Sequence, residues 1–191
     1  MQSNKAIIVS APSGSGKTTI VHNLLNNKML NLEFSVSACS RPKRDQETEG
    51  KDYYFLSVEQ FRSKIENSEF LEWQEVYNDH YYGTLRSEVD RVFAKGNNLI
   101  FDVDVVGGLN LKEYFQEDAL AIFIMPPSIE ELERRLRLRS TEEDEDIAKR
   151  VKKSNFEIRY AERFDLIVIN DVLNDAIAEV TNAVIAFLQR K

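Results

Sequence analysis

Residues 7–19 (Ile7-Ile8-Val9-Ser10-Ala11-Pro12-Ser13-Gly14-Ser15-Gly16-Lys17-Thr18-Thr19) leave this chain few ways to fold. Three consecutive β-branched residues, Ile7 to Val9, read as a buried strand. A loop of small residues follows, and Thr19-Ile20-Val21 with Leu24-Leu25 opens a helical pattern. Strand, Gly-containing loop and helix, with Gly16-Lys17-Thr18 at the join, form the context of a phosphate-binding loop. Backbone N–H groups of such a loop and of the helix N-terminus point at an anion, and the helix dipole adds partial positive charge. Lys17 is placed to reach the β- and γ-phosphates of a nucleoside triphosphate, and the Thr18 hydroxyl to hold Mg²⁺. The pattern departs from Gly-x-x-x-x-Gly-Lys-Ser/Thr once, with Ala11 in the first Gly position. Alanine is strained there if the site needs positive φ, and serves if it needs only a small side chain.

At 191 residues the chain suits one domain with insertions. A formal net charge of −7 argues against sequence-independent binding of nucleic acid, which depends on neutralising phosphates. Cys39 is the single cysteine, so neither an intrachain disulfide nor a cysteine-based zinc cluster is expected. His22 and His80 are too few for a histidine-rich metal centre. The absence of a long apolar run or an apolar leader argues against a membrane span or secretion, and the expected compartment is the cytoplasm.

A helix is expected from Lys17 to Asn26, then a short strand over Phe34–Ala38, which alternates at period two. The polar stretch Arg41 to Glu47 leads to a strand at Tyr53–Leu56, and Ser57 with Gln60 fits a capping box for a helix through Phe61 and Ile65. Phe70–Tyr77 alternates, Asn78-Asp79 turns and His80–Thr84 returns, which predicts a hairpin. A helix from about Leu85 to Gly96, a buried strand Leu99–Asp104, a helix over Leu109–Phe115 and a buried strand Ala119–Ile124 follow. Met125-Pro126-Pro127 breaks the chain, and Ser128 with Glu131 forms a second capping box for a densely charged helix. A strand over Phe164–Ile169 and a helix packed through Ile177, Val180, Val184 and Leu188 close the chain. Strands alternating with helices imply a parallel sheet covered on both faces, with residues 34–84 as a small, mostly β insertion.

Three groups of residues carry chemistry. Asp102 and Asp104 end a buried strand, the edge where open α/β sheets bind ligands, and they share a face. One or both could hold Mg²⁺ through water or accept a substrate hydrogen bond; the plainer alternative is that one caps the next helix. Arg41, Arg44, Tyr53, Tyr82 and Thr84 sit within the insertion, where guanidinium forks and phenol hydroxyls suit phosphate oxygens. Glu47 and Glu72 stand in the same module, and a carboxylate can accept the paired donors on the edge of guanine. A solvated loop with locally paired charges explains this group equally well. The third group is Arg134, Arg135, Arg137 and Arg139, with Arg150 beyond an acidic patch. Glu130–Arg134, Glu131–Arg135 and Glu133–Arg137 are i,i+4 pairs that stabilise a surface helix by roughly 0.2–0.5 kcal/mol each. They leave over Arg139 and Arg150, which flank the flexible-looking segment 140–143 and suit a closing lid.

With these motifs in place, the chain resembles the guanylate kinases over essentially its whole length. The resemblance rests on residues 12–17, on Phe34–Ser37 with Arg41 and Arg44, and on Gly50–Phe55, Phe70–Trp73 and Tyr82–Thr84. It continues through Asp102–Asp104, Pro126–Ser128 and Ile169–Asp171. It implies a three-layer α/β P-loop kinase of one domain: a core (1–33, 85–127 and 154–191), a mixed, mainly β GMP-binding insertion (34–84) and a helical lid (128–153). It further implies ATP as phosphoryl donor, Mg²⁺ as cofactor and GMP as acceptor, with the insertion closing on GMP and the lid on ATP. Ser37, Arg41, Arg44, Tyr53 and Tyr82 match positions that hold the GMP phosphate; Glu72, Thr84 and Asp104 match those that read guanine, and Glu47 a further GMP-site position. Gly14, Ser15, Gly16, Lys17, Thr18 and Thr19 match the ATP phosphate site, Asn170 and Asp171 its adenine end. Arg44, Arg139 and Arg150 match arginines that stabilise the transferred phosphoryl; with Lys17 of the loop they are the expected catalytic groups, and Thr18 and Asp102 are the expected metal contacts. Small-molecule substrates alone are implied, neither nucleic acid nor membrane, with monomer and homo-oligomer both open. Two other readings stay open: a non-catalytic phosphopeptide-binding module of the same fold, and a sugar-phosphate kinase. The intact Gly16-Lys17-Thr18 argues against the first, and the tyrosine-rich, acid-containing insertion against the second.

Overall fold

The computed structural model describes residues 4–139 and 144–190. In chain order, β1 (Ala6–Ser10) leads to α1 (Lys17–Asn26) and β2 (Leu32–Phe34). The chain then leaves the core through β3 (Ala38–Cys39), β4 (Tyr54–Phe55), α2 (Val58–Glu66), β5 (Phe70–Tyr77) and β6 (His80–Leu85). It returns with α3 (Arg86–Phe93), β7 (Asn98–Val103), α4 (Val105–Phe115) and β8 (Ala119–Met125). Two charged helices, α5 (Ile129–Arg139) and α6 (Asp144–Ile158), precede β9 (Leu166–Ile169) and α7 (Leu173–Leu188).

Five strands form one parallel sheet in the order β2-β7-β1-β8-β9. Its central strands are buried on both faces, which explains their unbroken apolar runs. Because strand side chains alternate, Ile7 and Val9 face the side packed by Ile20, Leu24, Val180 and Val184 of α1 and α7. Ala6 and Ile8 face the other side, with Val92, Leu111 and Phe164. Each Ile or Leu fully buried this way contributes about 1.5–3 kcal/mol. The second sheet has the order β4-β3-β6-β5, parallel between β3 and β4 and antiparallel elsewhere. It has its own small core, where Phe61 stacks on Phe70 with ring centroids 4.3 Å apart and on Tyr81 at 5.4 Å. Gly83 lets β5 and β6 approach, since a Cβ there would lie 2.6 Å from the Glu72 carbonyl oxygen.

Several expected elements form as read. The helix Lys17–Asn26 and the strand Phe70–Tyr77 have the expected limits, and the Ser57–Gln60 capping box makes both of its hydrogen bonds. Others differ for physical reasons. The single strand expected over Phe34–Ala38 is two: Phe34 ends a strand of the central sheet, and Ala38 begins one in the insertion. Between them the Ser35 N–H still bonds to Ile100 O (3.0 Å), whereas the Val36 N–H turns to a Glu88 carboxylate (2.9 Å). The strand expected to end at Asp104 stops at Val103, and α4 begins a turn before Leu109. Asp104 caps it by accepting from the Gly107 N–H (2.9 Å); two low-propensity glycines hide this first turn from sequence reading. Gly108 is there for room, because a Cβ would fall 2.3 Å from Ser10 Oγ. α3 ends at Phe93, before Gly96, which has φ +75°.

On α5, Ser128 Oγ accepts from the Glu131 N–H as expected, but the Glu131 carboxylate goes to Arg134 and Arg135. The expected Glu130–Arg134 pair is thus replaced by Glu131–Arg134; Glu131–Arg135 and Glu133–Arg137 form. Among the described residues, no helix is long and apolar enough to cross a membrane.

Candidate active site

The loop between β1 and α1 bends through two glycines in the left-handed region, Gly14 at φ +93° and Gly16 at φ +89°. Ala11 is not among the described residues with positive φ, and it is buried. The first Gly position of the motif therefore asks only for a small side chain here. Space constrains the other two: a Cβ on Gly14 would meet Leu136 at 3.0 Å, and one on Gly16 would meet the Asn170 amide at 2.3 Å. Asn170 is buried and donates to Ser15 O (2.7 Å), so β9 ties down the loop from behind. Ser15 is buried too, and its N–H closes a turn on Pro12 O (3.2 Å). Lys17 Nζ donates to Val103 O (2.8 Å) and pairs with Asp102.

Two clefts open at this end of the sheet. One, of about 320 Å³, runs along the loop past Gly14, Lys17 and Thr18. The other, of about 240 Å³, lies between the sheets and is lined by Ser37, Tyr53, Glu72 and Tyr82. They share a wall made of Asp102, Asp104 and Lys153.

The second cleft has a polar end and a buried end. At the polar end, the Arg41 guanidinium donates to Glu47 through both terminal nitrogens (2.7 and 2.5 Å) and to Tyr82 Oη (3.1 Å). It stacks on the Tyr53 ring at 5.0 Å. Arg41 holds the Glu47 carboxyl down at about 2, with the Arg44 N–H assisting. Arg44 itself is exposed. At the buried end, Glu72 and Thr84 come from facing strands, and the Thr84 hydroxyl donates to Glu72 Oε1 (2.8 Å). Burial pushes the Glu72 carboxyl up to about 7; the Thr84 hydrogen bond opposes the rise and Asp104 adds to it. The other Glu72 oxygen lies 3.1 Å from where a Gly107 Cβ would be, and Asp104 Oδ1 at 3.5 Å. A side chain at residue 107 would crowd the space between the two carboxylates.

The guanylate kinase family model matches residues 3–186. This chain belongs to the guanylate kinase family. It is 52% identical to a guanylate kinase from Porphyromonas gingivalis, over 97% of this chain and 99% of that one. Identity to the Bacteroides thetaiotaomicron guanylate kinase is also 52%, over 98% and 91% of the two chains. A crystal structure of guanylate kinase from Anaplasma phagocytophilum superposes with a TM-score of 0.78 at 30% identity, covering all of this chain and 89% of the other.

Within this guanylate kinase fold, half of the residues singled out from sequence line the two clefts. Gly14, Gly16, Lys17 and Thr18 line the first, and Ser37, Tyr53, Glu72, Tyr82, Asp102 and Asp104 the second. Arg150 reaches the loop from α6, where it donates to Ser13 Oγ. Arg139 ends α5, and its side chain, like segment 140–143, lies outside the described residues. The Asn170 amide is committed to Ser15, while Asp171 beside it is exposed. Sequence reading missed Lys153 and Glu157. Their signal was available, since with Arg150 they recur at helical spacing on one face of α6. Among the described residues no group of three or more His, Cys, Asp or Glu is placed to hold a metal by itself.

Proposed function

We propose that this guanylate kinase, an ATP:GMP phosphotransferase, seats ATP in the loop cleft and GMP in the cleft between the sheets. The observation that carries the assignment is the shared wall of Asp102, Asp104 and Lys153, which sets the two clefts end to end. Phosphoryl transfer needs little covalent help from the protein; it needs two substrates in line and their charge balanced. The loop N–H groups and Lys17 grip the donor phosphates, with Gly14 to Thr19 around them. Lys17 exchanges its Asp102 pairing for the triphosphate.

On the acceptor side, Arg41, Tyr53, Tyr82 and Ser37 hold the GMP phosphate, and the Arg41–Glu47 pair fixes the guanidinium in place. Glu72 in its ionised form accepts the paired N–H donors of guanine, with Thr84 and Asp104 completing the edge contacts. Arg44, Arg139 and Arg150 close on the phosphoryl group in flight. Asp171 marks the adenine end, and Asn170 acts there by anchoring the loop. Thr18 and Asp102 lie on the ATP cleft and would hold Mg²⁺, which takes one or two protein oxygens and otherwise water and phosphate. That ion supplies neutralising charge on the β- and γ-phosphates.

Coupled ADP release, measured across GMP, AMP, CMP, UMP and ribose phosphates, tests the assignment. GMP is expected to be the preferred acceptor. Equal turnover across the panel would reject the roles given to Glu72 and its neighbours.

A further inference from the structure

One face of α6 has a task beyond the lid arginine. Arg150, Lys153 and Glu157 fall on the same side of this helix, and Arg150 is bonded to Ser13 of the loop. One turn on, Lys153 lines both the GMP cleft and the ATP cleft. Glu157 lines the ATP cleft and pairs with Lys153 at 3.7 Å.

The plain reading is a helix-surface ion pair. Its order, with lysine N-terminal to glutamate, is the less favourable one. Nor does it account for burial: the Glu157 side chain is 9% exposed while that of Lys153 is 54% exposed. A buried carboxylate is costly unless something returns that cost, and a surface pair returns little. Charge supplies a stronger reason. Three carboxylates line the ATP cleft (Asp102, Asp104 and Glu157) against two ammonium groups, Lys17 and Lys153, and Lys17 is paired with Asp102. Two phosphorylated substrates add negative charge where the clefts join, and among the described residues Lys153 is the cation that lines both.

We propose that Lys153 is a further catalytic residue, whose ammonium donates to the GMP phosphate and to the phosphoryl group in flight, with Glu157 as the positioning residue that holds it over the junction. A compact ammonium with three donors can serve two phosphates at once. In the step it assists, a GMP phosphate oxygen bonds to the γ-phosphorus of ATP. The bond from that phosphorus to the β–γ bridging oxygen breaks, and its electron pair leaves with ADP. The inference rests on the assignment of the two clefts to GMP and ATP.

The test uses the whole protein, with Lys153→Met, Lys153→Arg and Glu157→Gln beside the wild type, in steady-state ADP release and thermal melting. Lys153→Met is expected to lower kcat about 100-fold, the scale of losing one charge-stabilising donor, with an unchanged melting temperature. Lys153→Arg restores most of that loss. Glu157→Gln lowers kcat about fivefold with the KM for ATP unchanged, the pattern of a displaced lysine. A GMP-selective wild type whose Lys153→Met variant keeps kcat within twofold overturns this inference alone. A wild type without preference for GMP overturns the cleft assignment and this inference together.

Discussion

Under the proposed assignment, the loop at residues 11–18 and the insertion between β2 and α3 both meet phosphate, and they are built from opposite materials. The loop works through backbone N–H groups, two left-handed glycines and one lysine, all within eight residues. The insertion works through side chains from Ser37 to Thr84, and its buried end is completed by Asp104 from the core. A backbone site is specified locally and serves any triphosphate. A side-chain site is assembled across sheets and can choose its base. In the proposed assignment the loop grips the donor, and the insertion selects the acceptor.

The largest expected effect falls on the donor side. Arg150→Ala, which removes the α6 arginine bonded to the loop, is expected to lower kcat by about 10³-fold, as loss of an arginine finger does. Base selectivity should persist, since the variant leaves the insertion intact. Steady-state kinetics on GMP and AMP read both quantities, and a loss of selectivity would break the division of labour drawn above.

On the acceptor side, Glu72→Gln keeps the shape and removes the charge that guanine donors meet. Hydrogen bonds to charged groups are each worth about 1.5–3 kcal/mol, so the KM for GMP should rise about 100-fold with kcat less affected. Stability should move the other way. Burial holds the Glu72 carboxyl at about 7, above the 4.5 usual for a glutamate, so the folded state binds its proton more tightly than the unfolded chain. Ionised Glu72 therefore costs stability increasingly as pH rises from 4.5 to 7, and in full above it. Glu72→Gln should accordingly melt higher than the wild type at pH 8. A variant that both binds GMP normally and melts lower would show Glu72 to be structural.

The same carboxyl sets a pH profile. Ionised Glu72 accepts from guanine and protonated Glu72 does not, so affinity for GMP should fall as pH drops through about 7. Well below that value, each pH unit costs about tenfold in apparent affinity. Titration of GMP into the protein between pH 5.5 and 8.5 measures it, and ATP affinity over the same range should lack this inflection. The asymmetry follows from where the two sites keep their charge.

What could be read from sequence follows the same division. The loop, α1 and the hairpin strand β5 were legible because periodicity and glycine placement are local signals. Phe34–Ala38 misled, since one alternating run is shared between two sheets and nothing within five residues marks the crossing. Glu88 was invisible for a similar reason. It is buried in α3 and accepts from the Val36 N–H (2.9 Å), the Tyr54 hydroxyl (2.9 Å) and Arg91. Val36 and Tyr54 are the chain neighbours of Ser37 and Tyr53, so this one carboxylate ties down the segments that carry two of the proposed phosphate ligands. Tyr54→Phe removes one of those bonds and should cost about 1 kcal/mol of stability. It should also raise the KM for GMP severalfold while leaving that for ATP alone.

The smallest effect tests the one place where the loop departs from its motif. Ala11 sits at negative φ and is buried, so the backbone there gains nothing from glycine. Ala11→Gly restores the motif and enlarges the conformational freedom of the unfolded chain, which should lower stability by about 0.4–1 kcal/mol. ATP binding should stay as it is, because the phosphate cradle is shaped by Gly14 and Gly16. Tighter ATP binding by Ala11→Gly would mean that the first position also shapes the cradle, and that a locally specified site had been read too simply.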